Sequence, residues 1–275
     1  MAQNQKLAIY PSLIDRIVVI TGGAMGIGAC MVEHFALQGS KVLVLDVAED
    51  DAKLVLENVS KLNVKYPPVF YNCDVSDVEG ALKSTAAKIL QENPKIHVLI
   101  NNAAMGKAGE FLPTVTLQSW DNSIALNLRP HVFLTQALLP GLLSAAGISE
   151  SSRPDESFTS FASVINMGSI SWAIPATGVL PYTTSKAAIV GLTRTLAHEL
   201  GPQGVRVNSI MPGSIATERE KREMLTPEYE ARVLGSQAIK RLIRPIDVTK
   251  LALWLAADDS SGVTNQSIRV DGGWT

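Results

Sequence analysis

The sequence predicts an α/β protein with a doubly wound parallel sheet of about seven strands and helices on both faces. The first observation is that short strand-like runs alternate with longer helical segments from Arg16 onward. The second is that the strand-like runs are continuously apolar, which is typical of strands covered on both faces. Right-handed crossovers between such strands produce a doubly wound sheet.

The predicted elements follow one another regularly. The strands read RIVVIT, KVLVLD, VFYNCD, HVLINNA, SVINMGS, VRVNSIM and SIRV. The first helices read GIGACMVEHFALQG, DDAKLVLENVSKL and VEGALKSTAAKILQEN. We expect a single long helix from Leu117 to Ala145 and another over Leu180–Leu200, and then one at PIDVTKLALWLAADD near the C-terminus.

Composition limits the class of protein. The 275 residues are 46% hydrophobic and 18% charged, and they contain no repeat or dividing linker, so we expect one domain over residues 1–275. A net charge of -2 without a basic block argues against nucleic acid or a membrane surface as partner. The sequence has no signal-peptide pattern and no apolar run long enough to span a membrane, which favours the cytoplasm. The four histidines lack metal-ligand spacing, and we predict no metal site.

Two segments interrupt the regular alternation of strands and helices. The serine-rich stretch 147–163 is predicted to be a surface insertion at the edge of the sheet opposite the ligand crevice. The charged stretch within about 214–240 is predicted to be helical. It is either a solvated, mobile helix or a lid that closes over substrate.

A glycine-rich turn, TGGAMGIG, lies between the first strand and the first helix. Its Gly22, Gly26 and Gly28 permit a tight turn and close approach of a pyrophosphate to the helix start. The second strand ends at Asp46, whose carboxylate suits the hydroxyls of an adenosine ribose and repels a 2′-phosphate. Because the turn offers no Arg or Lys, these residues favour NAD over NADP.

Tyr182 and Lys186 lie one helical turn apart near the start of the predicted helix. A tyrosine has a pKa near 10 and is a poor base at neutral pH. An ammonium on the same helix face stabilises its phenolate, so the pair suits proton abstraction from an alcohol.

With YTTSK, NNAA, CDV and PGSIAT in this order, residues from about Arg16 to Trp274 resemble the short-chain dehydrogenase/reductase family, which has a Rossmann-type fold. The NNAA stretch departs slightly from that family's usual NNAG. The resemblance implies a catalytic tetrad of Asn127, Ser169, Tyr182 and Lys186. In this tetrad, the resemblance implies that Ser169 holds the substrate oxygen and that Lys186 hydrogen-bonds the nicotinamide ribose. It also implies that Asn127 positions a water molecule for a proton relay. The implied cofactor contacts are Gly22, Met25, Gly26, Ile27, Gly28, Asp46, Asp74, Val75, Asn101, Ala103, Tyr182, Lys186, Pro212, Gly213, Ile215 and Thr217.

The substrate is less well defined by the sequence. NLR, GSISW and PGSIATE followed by MLTPE look like the bacterial NAD-dependent aldose 1-dehydrogenases of the D-xylose and L-arabinose type. The resemblance implies oxidation of a sugar to its lactone, with Ser169, Ser171, Trp172 and Tyr182 against the substrate. Trp172 is either an apolar platform for a sugar ring or core packing. Arg129 is either a surface cation or a contact for an anionic substrate.

Other readings stay open. The same machinery would serve a polyol, a sugar acid, a sulfosugar such as sulfoquinovose, a steroid or a 3-oxoacyl thioester. A catalytically silent NAD-binding sensor belongs to a different class of protein, and the intact Ser169–Tyr182–Lys186 set argues against it. We also expect a homotetramer or homodimer, since the long apolar helices carry more apolar surface than one sheet face covers.

Overall fold

The chain forms a seven-stranded sheet, and every neighbouring pair of strands is parallel. The computed structural model describes residues 7–106, 108–147, 162–223 and 226–275. Its strands are β1 (Ile17–Thr21), β2 (Lys41–Asp46), β3 (Val69–Asn72), β4 (Val98–Asn101), β5 (Ala162–Met167), β6 (Val205–Pro212) and β7 (Ser267–Val270). Their order is β3-β2-β1-β4-β5-β6-β7, and the predicted doubly wound sheet is confirmed.

Helices connect successive strands. They are α1 (Gly26–Leu37), α2 (Glu49–Ser60), α3 (Lys83–Glu92), α4 (Leu117–Asn127), α5 (Arg129–Ala146), α6 (Leu180–Leu200), α7 (Glu218–Glu223), α8 (Pro227–Ser236) and α9 (Pro245–Ala256). A short π-helical turn leads into α3. Most of the predicted insertion 147–163 lies outside the described residues, and its last two positions belong to β5.

The two faces of the sheet pack against different helices. Alternate residues of β1 divide between them, with Val18 and Ile20 in the core that includes α1 and α9. Val19 packs in the other core, to which α3, α5 and α6 contribute. Because both faces are covered, the central strands are mostly apolar rather than alternating, as the sequence pattern indicated.

The predicted helix from Leu117 to Ala145 is wrong in one respect, because it is two helices. The chain breaks at Leu128, whose φ of -129° and ψ of -52° are not helical. Pro130, in the first turn of α5, has no N–H to bond the carbonyl four residues earlier, and its ring would clash with that carbonyl. The break leaves Asn127 at the last position of α4.

The strand order reverses between β1 and β4, which places a crevice at the carboxyl ends of these strands. The chain runs from β1 through β2 to β3 on one side and then returns to build β4 to β7 on the other. All of the predicted site segments follow carboxyl strand ends. Among the described residues, no helix is both long enough and apolar enough to cross a bilayer.

Candidate active site

The glycine-rich turn forms a close-packed cradle at the carboxyl end of β1. Gly22 and Gly26 have φ values of +66° and +57°, a region that side-chain-bearing residues rarely adopt. A Cβ added at Gly28 would lie 1.9 Å from the Gly22 carbonyl oxygen. No side chain caps α1 at Met25, so the N–H groups of its first turn remain available. These groups and the helix dipole suit an anionic phosphate, and the cradle fits a dinucleotide.

Asp46 stands beside this turn and is partly buried. Its Oδ2 accepts a hydrogen bond from the Ala24 N–H at 2.9 Å. Its Oδ1 accepts from the N–H groups of Val47 and Ala48 at 2.8 and 3.1 Å. A carboxylate offers about four lone-pair sites, so capacity for a ribose hydroxyl remains after these three bonds. The carboxylate therefore also holds the turn in place.

The loop after β4 is tied to the same turn. The Asn102 amide donates to the carbonyl oxygens of Thr21 and Gly22 at 2.9 and 3.0 Å. The Ala103 N–H donates to the Thr21 hydroxyl at 2.9 Å, which places the predicted contact Ala103 against the turn. The Asn101 side chain instead lies buried beneath the sheet edge, where it donates to Asn166 Oδ1 at 3.0 Å.

The segment after β6 also reaches the turn. A Cβ added at Gly26 would lie 3.3 Å from the Thr217 methyl group, so these two predicted cofactor contacts face each other. Gly213 packs against Asp271 so closely that its own added Cβ would lie 2.9 Å from the Asp271 Cβ. Ile215 is buried and forms a bridge with Ile243.

The remaining predicted adenine contacts lie after β3. Asp74 is exposed, and its Oδ1 accepts from the Ser76 N–H at 2.9 Å and from the Ser76 hydroxyl at 2.6 Å. Val75 is buried in the core. The Asp74 carboxylate is therefore at the surface, whereas the Val75 side chain belongs to the core.

Tyr182, Lys186 and Ser169 meet at the carboxyl end of β5. The Ser169 hydroxyl is hydrogen-bonded to the Tyr182 side chain. The Lys186 Nζ is buried, lies 5.8 Å from the centre of the Tyr182 ring and donates to the Met167 carbonyl oxygen at 2.7 Å. Helix α6 supplies the tyrosine and the lysine, because residues four apart share one helix face.

Burial sets the ionisation of this pair. It raises the pKa of Tyr182; the Ser169 hydrogen bond opposes that shift and the Glu220 charge adds to it. Burial lowers the pKa of Lys186 to about 7. In the protein alone the phenol is therefore a weaker acid than free tyrosine. The predicted acidification of Tyr182 by Lys186 needs a charged lysine, and burial opposes that charge.

Asn127 holds the loop that follows β4. Its Oδ1 accepts from the Met105 N–H at 2.8 Å, and its Nδ2 donates to the Met105 carbonyl at 2.9 Å and to the Ser123 hydroxyl at 3.0 Å. The next residue, Gly106, lies against the Tyr182 ring, since an added Cβ there would be 3.4 Å from the ring. The side chain of Asn127 thus positions the wall of the pocket next to the tyrosine.

The residues predicted to contact substrate follow Ser169. The Ser171 N–H donates to the Ser169 hydroxyl oxygen at 3.1 Å, and the Ser171 side chain is buried. Trp172 is 37% exposed, and the Arg269 guanidinium lies 5.8 Å from the centre of its ring. A partly exposed indole with a cation near its ring is not a core residue, and its contact with a sugar ring stays a prediction. Arg129 is exposed at the start of α5.

Sequence reasoning missed Glu220, the only acid whose charge acts on the pKa of Tyr182 among the described residues. Its Oε1 accepts from the Ser214 hydroxyl at 2.5 Å and from the Tyr229 hydroxyl at 3.4 Å. Burial raises the pKa of Glu220 itself. Glu220 lies in a run of charged residues. In the sequence, only Ser214, six positions earlier, distinguishes it from its solvated neighbours.

Metal ligands are not gathered anywhere in the described part of the chain: no three His, Cys, Asp or Glu side chains could share an ion there. His131 shares the lack of metal-ligand spacing with the other histidines, yet its ring is fully buried and the charge of Lys186 lowers its pKa. Its place beneath the site was not visible from spacing.

Comparison with known proteins finds relatives over nearly the whole chain. The family model described as enoyl-(acyl carrier protein) reductase, adh_short_C2, matches residues 22–275. D-xylose 1-dehydrogenase from Caulobacter vibrioides is 39% identical, covering 97% of this chain and 98% of that protein. A probable galactose dehydrogenase, GalD, from Rhizobium meliloti is 37% identical and covers 96% of each chain. A short-chain type dehydrogenase/reductase from Mycobacterium ulcerans shares the fold at a TM-score of 0.86, with 22% identity over 96% of this chain and 90% of that one.

Proposed function

Since the chain belongs to the short-chain dehydrogenase/reductase family, we propose that it is an NAD-dependent sugar dehydrogenase that oxidises an anomeric or other secondary hydroxyl of an aldose. Family membership makes it an oxidoreductase that acts on an alcohol or sugar with a nicotinamide cofactor. Two aldose dehydrogenases are 37% and 39% identical over nearly the whole chain, which supports a sugar. For an anomeric hydroxyl the product is a lactone.

The meeting of Ser169, Tyr182 and Lys186 beside the glycine cradle carries the proposal. Ser169 would hold the substrate oxygen by hydrogen bonding, and the Tyr182 phenolate would take the hydroxyl proton. Lys186 would favour that phenolate through its positive charge. The bound nicotinamide would supply the hydride acceptor.

The preference for NAD rests on Asp46. A carboxylate at the end of β2 accepts hydrogen bonds from ribose hydroxyls and repels a 2′-phosphate. The cradle supplies phosphate-binding N–H groups, while Met25 brings no positive charge to it. A cofactor with an unphosphorylated ribose fits this arrangement better.

A neutral sugar fits the pocket better than a sulfosugar or a sugar acid. Glu220 places a carboxylate close enough to Tyr182 for its charge to raise the pKa of the phenol. A carboxylate accepts hydrogen bonds from sugar hydroxyls and repels a sulfonate or second carboxylate. We therefore propose that Glu220 contacts a hydroxyl of the substrate, and that residues from about 214 to 240 form the lid over it.

The assay mixes the protein with NAD and a panel of neutral aldoses, the matching uronic acids, a polyol and a 3-hydroxyacyl thioester, which is the alcohol form of the 3-oxoacyl thioester. We expect reduced nicotinamide to accumulate with one or more neutral aldoses and a lactone to be released. Turnover of the anionic or thioester substrates alone would overturn the sugar assignment. Cofactor binding without any turnover would favour the silent sensor.

We further propose that the enzyme is a cytoplasmic homotetramer or homodimer in which α4, α5 and α6 pair across a two-fold axis. Leu117 and Phe133 are apolar side chains exposed on α4 and α5, at 77% and 36%. Pairing with a second copy would remove such side chains from water. Light scattering of the purified protein is expected to give two or four times the chain mass, and a monomer would contradict the proposal.

A further inference from the structure

A buried polar cluster lies behind Tyr182, at the carboxyl ends of β4 and β5. None of its members is more than 3% exposed. They are Asn101, His131, Thr135, Asn166, Lys186 and Thr193. Polar side chains in such a place are costly unless each finds a hydrogen-bond partner.

Part of this cluster is satisfied internally. Asn101 Nδ2 donates to Asn166 Oδ1 at 3.0 Å, and Asn166 Nδ2 donates to the Thr193 hydroxyl at 3.2 Å. The Thr135 hydroxyl donates to the His131 carbonyl oxygen at 2.7 Å. The Asn166–Thr193 bond joins α6 to the sheet, whereas the Thr135 bond lies within α5.

Other groups of the cluster are not satisfied. Among the described residues, neither ring nitrogen of His131 has a hydrogen-bond partner of normal geometry, and the same holds for Asn101 Oδ1. Lys186 is a neighbour of His131, because its Nζ donates to the Met167 carbonyl, which lies beside the His131 ring. The Asn101 carbonyl lies beside the same ring. Lys186 carries three N–H donors, of which one is used by the Met167 carbonyl.

The protonation state of His131 follows from these surroundings. Burial and the neighbouring lysine hold the pKa of His131 well below its ordinary value, so the ring is neutral at physiological pH. A neutral imidazole has one donor and one acceptor nitrogen. The ring N–H faces the carbonyls of Asn101 and Met167. The groups that remain to be matched are an N–H on Lys186, the acceptor nitrogen of His131 and Asn101 Oδ1.

One water molecule matches this set. It can accept from Lys186 and donate to His131 and to Asn101, which gives it three partners, the usual number for a buried water. We propose that His131 is a positioning residue that holds a water against Lys186 and thereby keeps this lysine charged. A second acceptor stabilises the ammonium against the burial that opposes it. The charged lysine in turn favours the phenolate of Tyr182.

The titratable groups facing this pair lie on three helices. Tyr182 shares α6 with Lys186, His131 comes from α5, and Glu220 of α7 acts on Tyr182. Loss of the water leaves Lys186 with less support for its charge, so the pKa of Tyr182 rises. The rate of alcohol oxidation, which needs the phenolate, then rises only at higher pH.

The test compares two variants at one position. His131→Leu removes both ring nitrogens, whereas His131→Gln keeps a donor and an acceptor but cannot titrate in this range. For His131→Leu we expect the rising limb of kcat/KM against pH to move up by about one unit, with kcat near neutral pH falling about tenfold. We expect His131→Gln to stay close to the unaltered enzyme, and the Kd for NAD to change in neither variant.

His97→Leu is the matched control. His97 is a second partly buried histidine, whose Nδ1 accepts from the Ile17 N–H at 3.1 Å near the amino end of β1. We expect this variant to lose stability with an unchanged pH profile. A His131→Leu enzyme with the original profile would overturn the proposal, and so would an equal shift in all three variants.

A crystal structure of the unaltered protein with NAD is a second test, and it does not depend on whether the variants fold. We expect density for a water within hydrogen-bond distance of Lys186 Nζ, His131 and Asn101 Oδ1. A dry pocket would overturn the proposal. This readout needs no turnover, and the pH profile uses whichever alcohol is oxidised, so a wrong sugar assignment leaves the test of His131 intact.

Discussion

Replacing Asp46 by asparagine is expected to weaken the preference for NAD over NADP, at a comparable cost in folding stability. The substitution removes one negative charge and replaces one carboxylate oxygen by an NH2 group. Oδ1 accepts from the Val47 and Ala48 N–H groups, and the asparagine oxygen can keep that role. The NH2 group then faces the Ala24 N–H, which loses its acceptor.

The two costs are of similar size, but they appear in different measurements. Losing one charge-assisted bond and leaving a backbone N–H unmatched costs about 1–3 kcal/mol of unfolding free energy. Two unit charges about 4 Å apart interact by about 4 kcal/mol at an effective dielectric constant of about 20. Because Asp46 is only partly buried, we take about half of that value for its repulsion of a 2′-phosphate. The ratio of kcat/KM for NAD to that for NADP should fall about 30-fold.

The measurement is kcat/KM for both cofactors at saturating sugar, together with the Kd of each by calorimetry. Asp51→Asn is the matched control, since it removes an equal charge from an exposed position early in α2. We expect the control to leave the cofactor ratio within about twofold. An unchanged ratio in Asp46→Asn, or the same change in both variants, would refute the ribose contact and the charge argument together.

Three further changes probe the site. Tyr182→Phe should lower kcat about 10³-fold with little change in the Kd for NAD by calorimetry, and retained turnover would refute the base assignment. Gly28→Ala should abolish cofactor binding and cost about 2–3 kcal/mol in denaturant unfolding, because its Cβ meets a carbonyl oxygen 1.9 Å away. Gly191→Ala, whose Cβ would lie in open space, should have neither effect. Equal effects of the two substitutions would contradict the role of Gly28 in the cradle. Glu220→Gln should lower the pKa of Tyr182 and move the rising limb of the oxidation rate to lower pH, which the exposed control Glu218→Gln should not do.

Sequence periodicity predicted most of the fold. Strands covered on both faces are mostly apolar, and several helices are bounded by Gly or Pro, as at Gly39 and Pro245. The break at Leu128 was not predicted, because the apolar pattern continues through it. The break depends on backbone geometry around Pro130, which hydrophobic spacing does not report.

The site was predictable where it depends on motifs that follow strand ends. The turn, Asp46 and Tyr182 each come directly from local sequence, so topology alone brings them to one edge of the sheet. Glu220 and His131 depend instead on which way a helix faces after tertiary packing. A glutamate among charged residues and a histidine in an apolar helix look ordinary until the structure places them near Tyr182 and Lys186.

Under the proposed mechanism, the charges around Tyr182 would link substrate recognition to base strength. Lys186 would favour the phenolate from the rigid side, because its Nζ is anchored to β5 through Met167. Glu220 acts from α7, a six-residue helix held to Ser214 by a hydrogen bond, and its charge opposes ionisation of the phenol. A sugar hydroxyl that donates to Glu220 would disperse that negative charge. The pKa of Tyr182 would then fall only when the pocket holds a hydroxylated neutral ligand, so the base is strongest when its substrate is present.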